Sequence, residues 1–438
     1  MLKSLHLPKT DLVRRTPFFY GWVVWAAATL GLIATSPGQS FTVSLFFDHF
    51  IADFNLDRTT VSSMYGLGTF IASLSLTWVG RQIDRVGNRR ASTVIAILFA
   101  IVLALWTTVM GPFGLLIGFT AIRGLGQGSL SLSSTTVVAQ WFERRRGQVL
   151  SLMMVIFSLF QSQYILWLED MLIRYDWRQV WLILAGIMAV VVVPVSWLLL
   201  RNKPEDYDMQ PDGDDLVDEI MTDVVEAMPD VADGADPVDD GNWTLSEALR
   251  TPIFWIFTLG RVLGPTFGTG LILHQVSLFQ SLGHDGSLAT ATFSQFTLMS
   301  AVVAIVFGWL MDRFRPGLML AVQLGALVAT MLLATAMSNP TLVPIYAITF
   351  AMVMGSGGVF DGTVWPNLFG RRHQGAIRGF VTTINVIGSA VGPVIFGLSY
   401  DLTGNYSAAL FVGVALALVP LLLSFFAKPP TRRKQKVA

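Results

Sequence analysis

Gly80-Arg81-Gln82-Ile83-Asp84-Arg85-Val86-Gly87-Asn88-Arg89-Arg90 is a glycine- and charge-rich stretch between two long apolar runs. Much of it recurs at Gly308-Trp309-Leu310-Met311-Asp312-Arg313-Phe314-Arg315, and the offset from Gly80 to Gly308 equals that from Asp84 to Asp312, 228 positions. The later basic turns keep that offset, with Arg145-Arg146-Gly147 answering His373-Gln374-Gly375. Pro17-Phe18-Phe19-Tyr20, ahead of one apolar run, is echoed by Pro252-Ile253-Phe254-Trp255 ahead of another. A fixed long-range period with matching hydropathy marks a duplicated membrane protein. The chain reads as two copies of one unit.

Composition points the same way. Of 438 residues, 53% are hydrophobic and 13% charged, with a mean hydropathy of +0.60. A soluble protein of this length would expose far more charge, so the bilayer is the expected solvent. A spanning helix needs ~20 apolar residues, and the chain holds twelve candidates: 18–47, 61–82, 91–110, 113–139, 147–170, 179–200, 252–281, 289–311, 317–337, 341–366, 376–400 and 406–427. The first is too long for a cleaved signal and is expected to stay as a transmembrane helix. Cysteine is absent, which excludes disulfides and thiolate metal sites. No P-loop, no H-E-x-x-H and no loop domain able to hold a catalytic centre is present, so the expectation is no enzyme, no cofactor and no metal.

The basic residues are segregated. One side of the membrane receives 24 of the 29 Lys and Arg, among them both termini and the 80–90 stretch; the other receives only Arg58, Arg174 and Arg178. Positive charge accumulates on the cytoplasmic side. An integral, multi-pass protein of the plasma (inner) membrane, with both termini cytoplasmic, is the expectation. The organisation is a six-helix half over 1–200, a linker over 201–250 and a second half over 251–438. The linker holds 16 of the 29 acids, with Pro and Gly interspersed, and is expected to be largely unordered. Near its end Thr244-Leu245-Ser246-Glu247 has capping-box spacing. An acidic linker without an extended basic surface excludes nucleic-acid binding.

The Gly80–Arg90 stretch resembles the signature loop G-x-x-x-D-R-x-G-R-R of the major facilitator superfamily, with Asn88 where a basic residue often stands. Arg123-Gly124-Leu125-Gly126-Gln127-Gly128 is similar to the arginine–glycine pattern of its fourth helix. Tyr20-Gly21-Trp22-Val23-Val24, Trp141-Phe142-Glu143-Arg144-Arg145-Arg146-Gly147 and Phe369-Gly370-Arg371-Arg372-His373-Gln374-Gly375 resemble the branch of monocarboxylate and oxalate/formate porters. The resemblance implies an all-α membrane fold of twelve transmembrane helices in two pseudo-symmetric six-helix halves. It also implies a gate at the signature loop, assigned here to Gly80, Asp84, Arg85, Asp312 and Arg313, and a central cavity lined by helices 1, 4, 7 and 10.

Few ionisable groups lie deep, and each is costly in hydrocarbon, so each is a functional candidate. Arg123 in span four lies ~15 Å and Arg261 in span seven ~14 Å from the ends at which their helices enter, close to the midplane. Both fall on helices that the resemblance places around the cavity. A guanidinium there can bind a carboxylate through two parallel hydrogen bonds. The plainer alternative is that each arginine braces helices; Arg261 is the stronger candidate for substrate, and for Arg123 the two readings stand level. Asp361 in span ten is the deep acid, either a partner for an arginine or a proton carrier. His274, near the far end of span seven, is the second candidate for proton coupling.

The resulting expectation is a secondary transporter of small organic anions, monocarboxylates foremost, working by alternating access with proton symport or anion exchange. Its partners would be an anionic small molecule, the lipid bilayer and protons, and the chain would act as a monomer. A drug or sugar porter on the same fold is the first rival, and a transporter-like receptor signalling through the acidic loop the second.

Overall fold

The computed structural model describes residues 13, 16–143, 145–207, 209–213, 243–311, 313–370, 374–427 and 430; the side chains of Thr77, Asp84, Arg146 and 374–376 lie outside that description. The regular structure of these residues is helical, and twelve rods succeed one another along the chain. They are α1 (21–54), α2 (Arg58–Val86), α3 (Asn88–Leu105), α4 (111–141), α5 (Arg146–Arg174), α6 (Trp177–Leu199), α7 (Pro252–Ser281), α8 (Gly286–Met311), α9 (Pro316–Ala336), α10 (Val343–Phe369), α11 (Gln374–Thr403) and α12 (Ser407–Phe426). Nine are long and apolar enough to cross a membrane on those grounds alone. The other three, α1, α2 and α4, are the ones broken or enriched in polar residues. In a bilayer every backbone group of a span must be satisfied within the protein, which helices achieve by themselves.

Two helices are interrupted where they approach each other. In α1, Ser36-Pro37-Gly38 forms a 3-10 turn between Gly21–Ile33 and Ser40–Phe54, and Gln39 is extended. Proline cannot donate to the preceding turn, so the helix parts there. In α4, Arg123–Leu130 is wound as a wider π-helix. The two breaks touch backbone to backbone: a Cβ on Gly126 would lie 3.2 Å from the Gly38 Cα, and one on Gly38 would lie 3.0 Å from the Gln127 nitrogen.

The Gly80–Arg90 stretch is mostly helix rather than loop. Residues through Val86 continue α2, and the reversal falls on Gly87 at φ 83°, a conformation that favours glycine. Asn88 then opens α3, its amide donating to Gln140 Oε1 at 2.7 Å, while Arg89 donates to the Trp197 carbonyl at 2.8 Å.

The duplication is visible in the packing. Gly80 of α2 lies over Leu132 of α4, and Gly308 of α8 over Val359 of α10. Phe19 meets Trp141 with ring centroids 5.7 Å apart, and Phe254 meets Phe369 at 5.9 Å. One aromatic clasp thus ties α1 to α4 and its copy ties α7 to α10.

The acidic linker lies for the most part at 214–242, outside the described residues. Its flanks are folded. The Asp212 carboxylate accepts from the Glu143 and Arg145 amides at 2.9 and 3.2 Å, while Tyr207 and Met209 pack on the cluster around Tyr20 and Trp141. At the other flank the Thr244/Glu247 capping box forms as its spacing implies. Beside it the Trp243 amide donates to the Phe369 carbonyl at 2.8 Å.

Candidate functional site

The two six-helix halves meet tightly at the end opposite the Gly80 stretch. Ser44 of α1 donates to the Leu273 carbonyl at 3.1 Å, and the Thr59 amide of α2 to Asp401 of α11 at 2.7 Å. Ser62 of α2 lies 3.1 Å from His274 of α7, and Arg58 stands 4.8 Å over the Tyr400 ring. Toward the basic end no hydrogen bond between described residues crosses from one half to the other. Among the described residues the hydrogen bonds between the halves gather at one end of the bundle.

Just inside that closure lie the two deep arginines. Gly66 of α2 touches α11 at Ala390, and Thr266 of α7 touches it at Gly388 and Gly392. From those levels Thr69 is about 4.5 Å and Arg261 about 7.5 Å nearer the basic end, at ~1.5 Å per residue. Thr69 holds Arg123, so both guanidinium groups occupy similar depths, on the side of that closure nearer the basic end.

Their surroundings differ sharply. Arg123 donates from Nε to Thr69 Oγ1 at 3.1 Å and from Nη1 to the Gly38 carbonyl at 3.2 Å and Ser40 Oγ at 3.4 Å. The Gly38 carbonyl is free to accept because α1 breaks there. Tyr65 presents its ring 5.1 Å from the guanidinium carbon, while its hydroxyl pairs with Ser40 Oγ at 2.7 Å. Every one of these partners is neutral, and no carboxylate lies within ion-pair range among the described residues. Arg123 is 6% exposed. Its Nη2 has no hydrogen bond among the described residues.

Arg261 is neutralised. Its Nε donates to both oxygens of Asp361, at 3.0 and 3.1 Å. Its two terminal nitrogens carry no further hydrogen bond among the described residues and lie along two glycines. A Cβ on Gly264 would stand 3.2 Å from Nη1, and one on Gly357 would collide with Nη2. Gly357 is one turn before Asp361 on α10, so the same helix face supplies the carboxylate and the space for the guanidinium.

His274 is 1% exposed within the closure itself, not in the space beside the arginines. Of the signature-loop residues, Gly80 packs on α4, Arg85 is exposed, and Arg313 lies 3.6 Å over Trp309. The Asp84 side chain and Asp312 fall outside the described residues. Sequence reasoning passed over Thr69, Ser40, Gly38 and Gly357. Only the Ser-Pro-Gly break in span one carried a readable signal.

The sequence and the fold have parallels among known proteins. The sequence pattern of the Major Facilitator Superfamily matches residues 29–367 and 267–438. A gentisate transporter of Corynebacterium glutamicum is 22% identical over 382 residues, covering 85% of this chain and 80% of that protein. Monocarboxylate transporter 13 of Rattus norvegicus is 24% identical over 411 residues, covering 91% and 87%. The crystal structure of a D-xylose-proton symporter superposes with a TM-score of 0.68 at 14% identity, over 94% of this chain and 98% of that one.

Proposed function

The chain belongs to the major facilitator superfamily, and from that premise we propose that it is a secondary transporter of small organic acids, carried as carboxylates by alternating access. It is a multi-pass membrane transporter and not an enzyme. The observation that carries the substrate class is Arg123: a buried guanidinium at the depth of the plug, held only by neutral oxygens. Burying a charge without a counter-charge is costly. A carboxylate that reaches Nη2 supplies that counter-charge and a charge-assisted hydrogen bond. The relatives that carry gentisate and monocarboxylates support an acid over a sugar or a drug.

Arg261 and Asp361 serve the coupling. While Asp361 is ionised it holds Arg261; a proton on Asp361 releases the guanidinium to a second anionic contact. Substrate and proton then load together, which is symport, or a second anion takes the proton's place, which is exchange. The basic end is cytoplasmic by its Lys and Arg, so the closed end faces outward and the conformation is open to the cytoplasm. Asp84, with Arg85 and the equivalent Asp312 and Arg313, latches the cytoplasmic end in the opposite state. The protein works as a monomer in the plasma (inner) membrane.

The test is binding to the purified protein of a hydroxylated aromatic acid, an aliphatic monocarboxylate and the neutral amides of both. Acids that bind while their amides do not support the reading. Equal binding of acid and amide, or binding only of sugars, would sink it.

A further inference from the structure

His274 is held by residues of α1, α2 and α11 and by Tyr406, just ahead of α12. Nε2 lies 3.0 Å from the Pro393 carbonyl and 3.1 Å from Ser62 Oγ, so it carries the hydrogen and both oxygens accept. Nδ1 faces the Tyr406 hydroxyl at 3.4 Å and accepts from it; Tyr406 in turn is 2.8 Å from Ser277 Oγ. Phe47 stands edge-on to the imidazole at 5.0 Å and Phe396 stacks on it at 6.1 Å. This set of bonds specifies one neutral tautomer. Ser62 and Phe47 belong to α2 and α1, whereas Pro393, Phe396, Tyr406 and Ser277 belong to the other half. The ring is sealed only while the two halves are together.

The charged and titratable neighbours come from each packed element. Arg58 enters from α2, with its carboxylate partner Asp48 of α1 already bound to it at 2.8 Å. From α11 come Tyr400, under Arg58, and Asp401, on the Thr59 amide. Tyr406 precedes α12. None of the carboxylates touches the imidazole. A second cation in this pocket would meet Arg58 and no free acid.

We propose that His274 is an acid-sensitive lock on the closed end: the neutral ring fits the closed pocket, and a protonated ring holds that end open. When the halves part, Ser62 and Phe47 leave and the ring meets water, where it takes a proton at Nδ1. Closing again requires that proton to depart, because the pocket offers Nδ1 a hydroxyl and no carboxylate. Acid on that side of the membrane therefore accumulates the state open to it. His274 is not the carrier that takes a proton across, since it must be neutral whenever its end is shut. The inference rests on alternating access and not on the substrate proposed above.

Double electron–electron resonance in nanodiscs tests it, with spin labels on Ala52→Cys and Ala408→Cys, exposed positions at the closed end of the two halves in a chain without native cysteine. Between pH of about 8 and about 5.5 the open-to-closed ratio should rise, by at most about tenfold per pH unit for one linked proton. His274→Gln, neutral and still a donor to the Pro393 carbonyl, should show no step. If that variant does not assemble, Tyr406→Phe carries the test, since losing the donor to Nδ1 moves the step to higher pH. Two populations whose ratio ignores pH overturn the lock and leave alternating access standing. A step that persists in His274→Gln, or that does not move in Tyr406→Phe, also overturns it.

Discussion

The Asp401 carboxylate, at the end of α11, accepts a hydrogen bond from the Thr59 amide in the first turn of α2, 2.7 Å away and in the other half. Asp57 caps the next amide of the same turn, Thr60, at 2.6 Å. That hydrogen bond is the largest reason the Asp57 carboxyl lies below its usual range. Two carboxylates therefore share one helix N-terminus, where unpaired N–H groups and the helix dipole favour negative charge. The local one shapes the turn, and the distant one binds the halves.

Asp401→Asn keeps an acceptor but loses the charge, so it should loosen the closed end without unfolding either half. An exposed carboxylate at a helix N-terminus is worth about 0.3–1 kcal/mol, a two- to fivefold shift in the open-to-closed ratio. The distance distribution between spin labels on Ala52→Cys and Ala408→Cys should move toward the open state by that factor in the Asn variant. Asp57→Asn should move it less, because its capping bond to the Thr60 amide lies within one half. An equal move in both would remove Asp401 from the latch.

Gly357→Ala places a methyl group where Arg261 Nη2 lies. Overpacking of this kind costs about 1–3 kcal/mol when neighbours cannot yield. Making room displaces the guanidinium that bonds Asp361, so the expected result is a folded protein with transport reduced by about tenfold or more. Gly358→Ala, one position on and facing open space, is the control and should transport normally. A Gly357→Ala variant as active as that control would show that the Arg261 position is not needed.

Asp361→Asn separates coupling from carriage. The amide cannot take up and release a proton, and Arg261 is left as a second uncompensated charge. Uptake driven by a proton gradient should fall to background in proteoliposomes. Exchange of internal for external acid, which needs no net proton movement, should persist. Loss of both activities in a protein that still binds the acid would place Asp361 in the conformational change itself.

Much of this could be read along the chain, and what could not has a common cause. Twelve spans and their duplication come from runs of apolar residues and a constant offset, both local properties of the sequence. So do the depths of Arg123 and Arg261, which need only the rise of a helix. The choice of arginine for Asp361 is different, because 100 positions separate it from Arg261 and the pairing depends on how α7 crosses α10. By depth and helix alone, Arg261 is the stronger candidate for substrate; that crossing gives it a counter-charge and leaves Arg123 without one. Likewise Pro37 forecasts a break in α1, but only packing against the wide turn of α4 brings the freed Gly38 carbonyl to Arg123. His274 draws its partners from both halves, and no window of sequence holds them together. The signature stretch reads as a turn between spans, yet its first seven residues extend α2, and Gly87 alone turns the chain.

Arg123 offers the sharpest test of the substrate class. Its three hydrogen bonds to neutral oxygens fix the plane of the guanidinium and leave Nη2 without a hydrogen bond among the described residues. Arg123→Lys keeps the charge but cannot bond Thr69 and Gly38 in one plane while presenting a further N–H. Binding of an organic acid should weaken by about ten- to a hundredfold, or about 1.4–2.8 kcal/mol. Arg123→Gln removes the charge as well, and acid binding should be lost. Because the buried charge is itself costly, the Gln variant should be at least as heat-stable as the parent when no acid is present. The parent should gain stability on adding acid, and the Gln variant should gain none. Thermal unfolding of both proteins, with and without a carboxylate and its amide, reads all of these at once. A Gln variant that the acid stabilises as much as it does the parent would move the anion site away from Arg123.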